Sequence, residues 1–195
     1  MADKSTKSNS KPFDVIVERC LGSFALMLNR PAGLAALDLT PNGTRNSFFA
    51  LALAAPIELY RMSTDQAILG HAMVASLLAA DLLLIAALWL GPLLALHLLS
   101  RPLGFADRFP IYVNASNWGK LTIAYLLLPI TILQAISPAN TLALIALFIA
   151  FFASLAAAFF LTRIALNKPS PFAFGIVVLE FLVTIVMFVI FTPVG

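Results

Sequence analysis

The chain has 195 residues, of which 61% are hydrophobic and only 11% are charged. Soluble domains carry about 25% charged residues, so its 12 basic and 9 acidic side chains are too few to coat a water-soluble globule. This composition excludes a soluble enzyme, a disordered regulator and a disulfide-rich secreted domain. It predicts an all-α polytopic membrane helical bundle. The formal net charge of +3 is expected to face an anionic leaflet and not nucleic acid, because the basic residues are spread among hydrophobic stretches.

The N-terminal part is predicted to lie outside the membrane core. Residues 1–12 are rich in Ser and Lys and are expected to form a disordered tail. Residues 13–45 are predicted to form an amphipathic helix over 13–29 and a turn-rich connection, in which Pro41 begins a short helix after a capping side chain. The helix is expected to lie on the membrane surface or to pack on a partner protein, since both readings fit its pattern. The apolar stripe comprises Phe13, Val17, Cys20, Phe24 and Leu28.

The region 46–195 is predicted to form a five-helix membrane domain. A spanning helix needs about 20 apolar residues, and the shortest stretch, residues 46–60, falls below this length. The distribution of basic residues between the two sides of the membrane indicates whether residues 46–60 cross it. With five crossings and a cytoplasmic N-terminus, 11 of the 12 basic residues lie inside; without the first crossing the division is 7 against 5. The positive-inside bias favours five spans in a bacterial inner membrane, with the C-terminus periplasmic. The spans are approximately 46–62, 67–99, 118–137, 139–163 and 172–194.

Local patterns refine this bundle. Gly91-Pro92 is expected to kink the long second span. Phe105, Phe109 and Tyr112 repeat at helical spacing and predict a short helix on the inner surface, after which Trp118 and Lys120 anchor the third span. A ridge of small side chains in the fourth span permits close helix packing, within the chain or between copies. The ridge comprises Ala146, Ala150, Ser154 and Ala158.

Two intramembrane carboxylates are the candidate proton or ion site. Asp81 lies midway through the second span and Glu180 about nine residues into the fifth, so the two could occupy a similar depth. A carboxylate at the bilayer centre costs about 2.5–3.5 kcal/mol and usually finds a partner or a proton. No basic residue is expected at that depth, so the two acids could share a proton. The alternative is that each is protonated and hydrogen-bonded singly.

Catalytic and metal-binding patterns are not found in the sequence. It contains no GxSxG, HExxH, GxxxxGK[ST] or GxGxxG arrangement, so we expect no enzyme activity, cofactor or metal site. His71 and His97 would lie about 39 Å apart on one helix and could not share a metal ion. Cys20 could be acylated or could be a buried structural thiol.

The run 94–133 resembles bacterial members of the Yip1-domain family. Leu103-Gly104-Phe105, Phe109, Tyr112 and Pro129 occupy comparable places in the inner loop, the short aromatic helix and the third span. The resemblance implies five spans, a cytoplasmic N-terminus and a non-enzymatic membrane protein. Eukaryotic members resemble adaptors of vesicle traffic that bind small GTPases. The aspartate-leucine-tyrosine-glycine motif that eukaryotic members carry before the first span is absent here, where only Asp38-Leu39 matches its first two residues. The resemblance assigns no functional residue.

These observations leave two functions. The leading expectation is a membrane-organising or complex-assembly protein that contacts the lipid bilayer and other membrane proteins or further copies of itself. The alternative is a small proton- or ion-coupled transporter or channel subunit that uses Asp81 and Glu180.

Overall fold

The computed structural model describes residues 12–68, 75–138 and 140–191, apart from the side chains of 65–68 and 75–77. Within these ranges the protein is entirely helical, with no β-strand. A single 3-10 helix, Pro31–Ala36, lies between the first two α-helices. The α-helices are α1 (Pro12–Met27), α2 (Pro41–Asn46), α3 (Phe49–Ile68), α4 (Ala75–Ser100), α5 (Phe109–Ile136), α6 (Thr141–Leu166) and α7 (Ser170–Phe191). The predicted tail, apart from Pro12, lies outside the described residues, as does His71.

Four helices are long and apolar enough to cross a membrane: Leu78–Ser100 of α4, and α5, α6 and α7 over their full lengths. Their mean hydropathy lies between 1.6 and 2.8. Helix α3 has 20 residues but contains Glu58, Arg61 and Asp65, so it is too charged to join this group by composition. The four apolar helices indicate an integral membrane protein. We call the end of the bundle at which α5 and α7 begin the α1 end.

The third long helix begins earlier than its sequence suggested. We expected a short surface helix followed by a span from residue 118, whereas α5 runs unbroken from Phe109 to Ile136. Eight consecutive residues, 112–119, are buried. Two side-chain amides in this stretch bond inside the protein: that of Asn114 donates to the Asp38 carbonyl (2.6 Å) and that of Asn117 to the Ser47 hydroxyl (2.9 Å). Because these amides bond within the protein, the segment is the centre of the fold and not a surface helix.

Helix α1 packs on the buried part of α5, and only part of the predicted stripe lies in this contact, since Cys20 and Phe24 pack against the core. Its buried residues include Ser23, whose hydroxyl donates to the Ala115 carbonyl (3.2 Å). Phe13 and Leu28 of the stripe are 71% and 50% exposed, so the stripe as a whole is not the packing face. A close approach to the 3-10 helix holds α1 in place, because a methyl group added at Gly22 would lie 2.8 Å from the Gly33 carbonyl oxygen.

The short connection before α3 follows its predicted signal. Helix α2 begins at Pro41, as predicted, and the Thr40 hydroxyl caps it by accepting from the Gly43 backbone N–H (3.1 Å). Asp38 in turn accepts from the Thr40 hydroxyl (2.7 Å) and from its backbone N–H (3.1 Å). These bonds satisfy a backbone group of the first helical turn and fix the direction in which the chain enters α3.

Helices α4 and α7 pack antiparallel. Gly91 faces Met187, because a methyl group added there would lie 2.8 Å from the Met187 Cγ. Phe191, one turn further along α7, packs on the cluster that contains Leu84 and Ile85. This register places Glu180 towards the α1 end, and Asp81 towards the opposite end.

Candidate functional site

The candidate site centres on Glu180 of α7 and Tyr112 of α5. The Tyr112 hydroxyl donates a hydrogen bond to Oε1 of Glu180. Tyr112 is only 1% exposed and packs beside Phe109, with 6.3 Å between the ring centroids. Its hydroxyl also interacts with the Ser116 side chain. The tyrosine is therefore held rigidly against the Glu180 carboxyl.

Lys120 is the third member of the site. It lies eight residues after Tyr112 on α5, about 12 Å along the helix, and interacts electrostatically with Glu180. Its ammonium donates to the Trp89 carbonyl of α4 (3.3 Å) and lies 5.4 Å from the centroid of the Trp89 ring. The expectation of no basic residue near Glu180 is therefore wrong. Lys120 points between the helices instead of anchoring α5 at the surface.

A chain of hydrogen bonds extends from this site to α2 and α3. The Trp89 indole N–H donates to the Asn117 side-chain oxygen (2.9 Å), and the Asn117 amide donates to the Ser47 hydroxyl (2.9 Å). The Ser47 hydroxyl donates to the Thr44 carbonyl (2.7 Å). Trp89, Asn117 and Ser47 are all buried. The chain fixes the position of Trp89 and therefore of the surface on which the Lys120 ammonium lies.

A cavity of about 230 Å³ lies between α3, α4 and α5, beside Lys120. Lys120 and Trp89 form part of its wall, and Glu58 and Arg61 line another part. The Arg61 Nε and Nη2 both donate to Glu58 Oε2, at 3.0 and 2.7 Å. The remaining wall is apolar except for Thr131. Such a mixture of apolar walls and a few polar groups is typical of small-molecule sites.

The second predicted carboxylate, Asp81, is not part of this site. It is buried on α4, ten residues before Gly91, whereas Glu180 lies seven residues before Met187. Because Gly91 faces Met187 on antiparallel helices, the two carboxylates are about 25 Å apart along the bundle at 1.5 Å per residue. Asp81 and Glu180 therefore do not share a proton.

Two residues of the site, Tyr112 and Lys120, were not among the sequence candidates. A pattern that indicates them is present, since Tyr112, Ser116 and Lys120 recur every four residues and form a polar stripe on one face of α5. The partner of this stripe on α7 could not be identified from such spacing, because Glu180 is flanked by apolar residues and belongs to no polar stripe. The hydrogen bond between Tyr112 and Glu180 depends on how the bundle places α5 and α7, which are distant in sequence.

Cys20 lies apart from this site, on α1. It is partly buried, and burial raises the pKa of its thiol. A thiol with a raised pKa is a weak nucleophile at neutral pH, which fits a structural role better than acylation. Within the described ranges, no group of three or more His, Cys, Asp or Glu side chains could hold a metal ion.

Comparison with known proteins identifies no relative of this chain. The chain matches no protein-family model, no curated protein and no solved structure.

Proposed function

We propose that the protein is a small proton-coupled transporter or channel subunit, in which Glu180 exchanges the proton and Tyr112 and Lys120 respond to its charge. The observation that carries this proposal is the hydrogen bond from Tyr112 of α5 to the Glu180 carboxyl of α7, with Lys120 of α5 close enough to interact electrostatically with that carboxyl. Such groups are costly within spanning helices, and apolar residues would pack there at a lower cost. Their presence on two apolar helices that meet through these side chains fits a functional site.

The mechanism follows from what a proton on Glu180 changes. Ionised Glu180 attracts the Lys120 ammonium and accepts a hydrogen bond from Tyr112. Protonation removes the attraction to Lys120, while a protonated carboxyl still has an oxygen that accepts from Tyr112. Lys120 is then left with uncompensated charge beside the cavity between α3, α4 and α5. A proton on α7 is thereby coupled to the charge that a solute in this cavity meets.

The charged groups that face Glu180 are few. Helix α5 supplies Tyr112 and Lys120, and its other titratable group, Tyr125, is 52% exposed and lies near α1. The titratable groups on α4 are Asp81, about 25 Å away along the bundle, and His97, which packs on Phe109 (5.3 Å between ring centroids). Helix α6 carries only Arg163, whose guanidinium bonds to Asn29. Lys120 is thus the principal charge to which Glu180 is coupled.

The proposed topology has five crossings, with α3 as the first. Its 20 residues span about 30 Å, and the positive-inside count places the N-terminus in the cytoplasm of a bacterium and the C-terminus in the periplasm. Helix α1 would then lie at the cytoplasmic surface of the inner membrane, with Phe13 and Leu21 exposed to lipid. Alkaline phosphatase fused after residue 195 should be active, whereas an inactive fusion would contradict this topology.

The test of the coupling role is pH-dependent infrared difference spectroscopy of the protein in lipid nanodiscs. Acidification should produce a carboxylic acid band that Glu180→Gln removes and Tyr112→Phe shifts. The matched control is Asp14→Asn, which removes an exposed carboxylate on α1, away from the site and its cavity, and should leave this band unchanged. The accompanying change in the backbone amide bands should also disappear in Glu180→Gln. If Glu180→Gln gave the same difference spectrum as the wild type, the proposal would be refuted.

Proton movement itself can be measured in proteoliposomes that contain a trapped pH-sensitive dye. A potassium diffusion potential should drive a proton flux that depends on the protein and falls at least tenfold in Glu180→Gln. Protein-free vesicles and Asp14→Asn proteoliposomes are the controls, since Asp14 is exposed on α1 and lies outside the site. An equal flux in the Glu180→Gln protein would show that any proton path avoids this carboxyl.

The second candidate function is that of a non-enzymatic membrane-organising or assembly protein, which the Yip1-like resemblance of residues 94–133 favours. One structural feature supports it. Helix α6 is the least covered of the four apolar helices, with 6% of its window buried against 39% for α4. Exposed aromatic side chains at Phe148, Phe151 and Phe152 would suit a partner helix as well as lipid. Purification from native membranes in mild detergent should yield a stoichiometric complex if this function is correct.

A further inference from the structure

A basic groove lies at the α1 end, where α5 and α7 begin and α6 ends. Its volume is about 410 Å³. Arg108 precedes α5, Arg163 lies in the last turn of α6, and Lys168 lies in the link to α7. Among the described residues, no carboxylate lines the groove. Apart from the three cations, its lining consists of Pro31, Leu34, Ile164, Asn167, Pro169 and Ser170.

No acidic side chain among the described residues pairs with the three cations. The Arg163 guanidinium donates to the Asn29 side-chain oxygen and lies 5.9 Å from the Phe160 ring centroid. The Lys168 ammonium donates to the Gly104 carbonyl (2.8 Å) and lies 5.6 Å from the Phe172 ring centroid. Both contacts use neutral partners and leave further N–H donors on each side chain. In the part of the chain that the structure describes, none of the three forms an ion pair.

This arrangement has the chemistry of a phosphate site. Three cations from three segments converge on one groove, and each neutral contact holds a cation in place without cancelling its charge. Guanidinium groups bind phosphate oxygens through paired N–H donors, and the lysine adds a point charge. The apolar side chains of Leu34 and Ile164 line the same groove. They would contact the glycerol or acyl carbons that adjoin the phosphate of a lipid.

We propose that the basic groove binds the phosphate of an anionic phospholipid headgroup. Its position identifies the source of the phosphate, because three spanning helices begin or end at the groove and lipid phosphates lie at the ends of spanning helices. Basic pockets between helix ends are typical of such lipid sites. This inference does not depend on proton exchange by Glu180.

The test is native mass spectrometry of the detergent-purified full chain, titrated with phosphatidylglycerol, with phosphatidylcholine of the same acyl chains, or with inorganic phosphate. Phosphatidylglycerol should bind at least tenfold more tightly than phosphatidylcholine. Arg163→Gln and Lys168→Gln should each weaken phosphatidylglycerol binding about fivefold, which corresponds to about 1 kcal/mol per basic residue. Lys168→Arg keeps the charge and should bind like the wild type.

The matched control is Arg101→Gln, which removes one exposed basic charge from the loop at the same end without touching the groove. Its phosphatidylglycerol affinity should stay within twofold of the wild type. An equal loss in Arg101→Gln would mean that only overall charge matters and would overturn the site. Competition by inorganic phosphate at concentrations matched to the lipid would overturn the lipid assignment. Thermal unfolding without lipid identifies any variant that fails to fold, and Lys168→Arg still tests the site if a glutamine variant is lost.

Discussion

Replacing Lys120 with methionine should destabilise the protein more than replacing Glu180 with glutamine. Methionine preserves much of the length of the lysine side chain but removes its charge, so ionised Glu180 keeps only its hydrogen bond from Tyr112. Glutamine at position 180 still has an oxygen that can accept this hydrogen bond. In the double variant both charges are removed, so neither Lys120 nor Glu180 remains as a charge without its partner. A double-mutant cycle therefore isolates the interaction between the two side chains.

The magnitude follows from the partial burial of both groups. Removing one partner of a fully buried ion pair costs about 3–5 kcal/mol, whereas exposed pairs contribute about 0–1 kcal/mol. Lys120→Met should therefore lower the free energy of unfolding by about 2 kcal/mol. Glu180→Gln should lower it by about 1 kcal/mol, because the neutral hydrogen bond replaces a charge-assisted one. The double variant should lose about 2 kcal/mol, about 1 kcal/mol less than the sum of the single losses.

The free energies can be measured by unfolding the protein in mild detergent with increasing sodium dodecyl sulfate. Glu58→Gln is the matched control, since the Glu58–Arg61 pair has side chains 24% and 43% exposed and should contribute less than about 1 kcal/mol. Losses that add within about 0.3 kcal/mol would refute the reasoning. That result would mean that Lys120 and Glu180 do not interact, and the proposed coupling would fail with it.

Three further predictions concern the rest of the fold. Gly33→Ala should lower the free energy of unfolding by about 1–3 kcal/mol, because its methyl group would meet the Gly22 carbonyl and the Ala25 methyl group (3.0 Å), whereas Gly175→Ala, with nothing within 4 Å, should cost nothing in the same assay. Cys20 alkylation should keep accelerating above the pH at which a free thiol levels off, since burial raises its pKa; a plateau at the ordinary thiol pKa would contradict this. The hydrogen bond from the Thr40 hydroxyl lowers the pKa of Asp38, so this carboxylate stabilises the fold above its unfolded pKa and the stabilisation is lost as pH falls through the lowered folded value. The thermal midpoint should depend less on pH across this range in Asp38→Asn, and an unchanged dependence would exclude Asp38 as the cause.

The sequence predicts well those features that depend on neighbouring residues. Pro41 begins α2 as expected, because a capping side chain and a proline at the first helical position act within one turn. The long apolar stretches correspond to α4, α5, α6 and α7, because a helix that crosses lipid must be apolar along its length. Both features are local in sequence, so they need no knowledge of which helices pack together.

The packing of α1 and α5 could not be predicted in the same way. The repeat of Phe105, Phe109 and Tyr112 predicted a short surface helix before residue 118, and nothing in the sequence indicated partners for Asn114 and Asn117. Their amides instead bond to Asp38 and Ser47, which are 76 and 70 residues away in sequence. Similarly, the depth argument paired Glu180 with Asp81, because residue count alone does not give the register of α4 against α7. Both the burial of α5 and the register of α4 against α7 depend on contacts between residues far apart in sequence. These contacts cannot be inferred from the sequence of one segment alone.

The position of Lys120 changes the charge argument without reversing it. The lysine was counted among the cytoplasmic residues, but its ammonium lies between helices and interacts with Glu180. Leaving it out gives 10 of 11 basic residues on one side of a five-span topology, against 7 and 4 without a crossing by α3. The positive-inside bias therefore still favours five spans. The lysine that leaves this count is a member of the candidate site. Because its ammonium lies between helices and interacts with Glu180, its position is set by a partner within the protein and gives no information on topology.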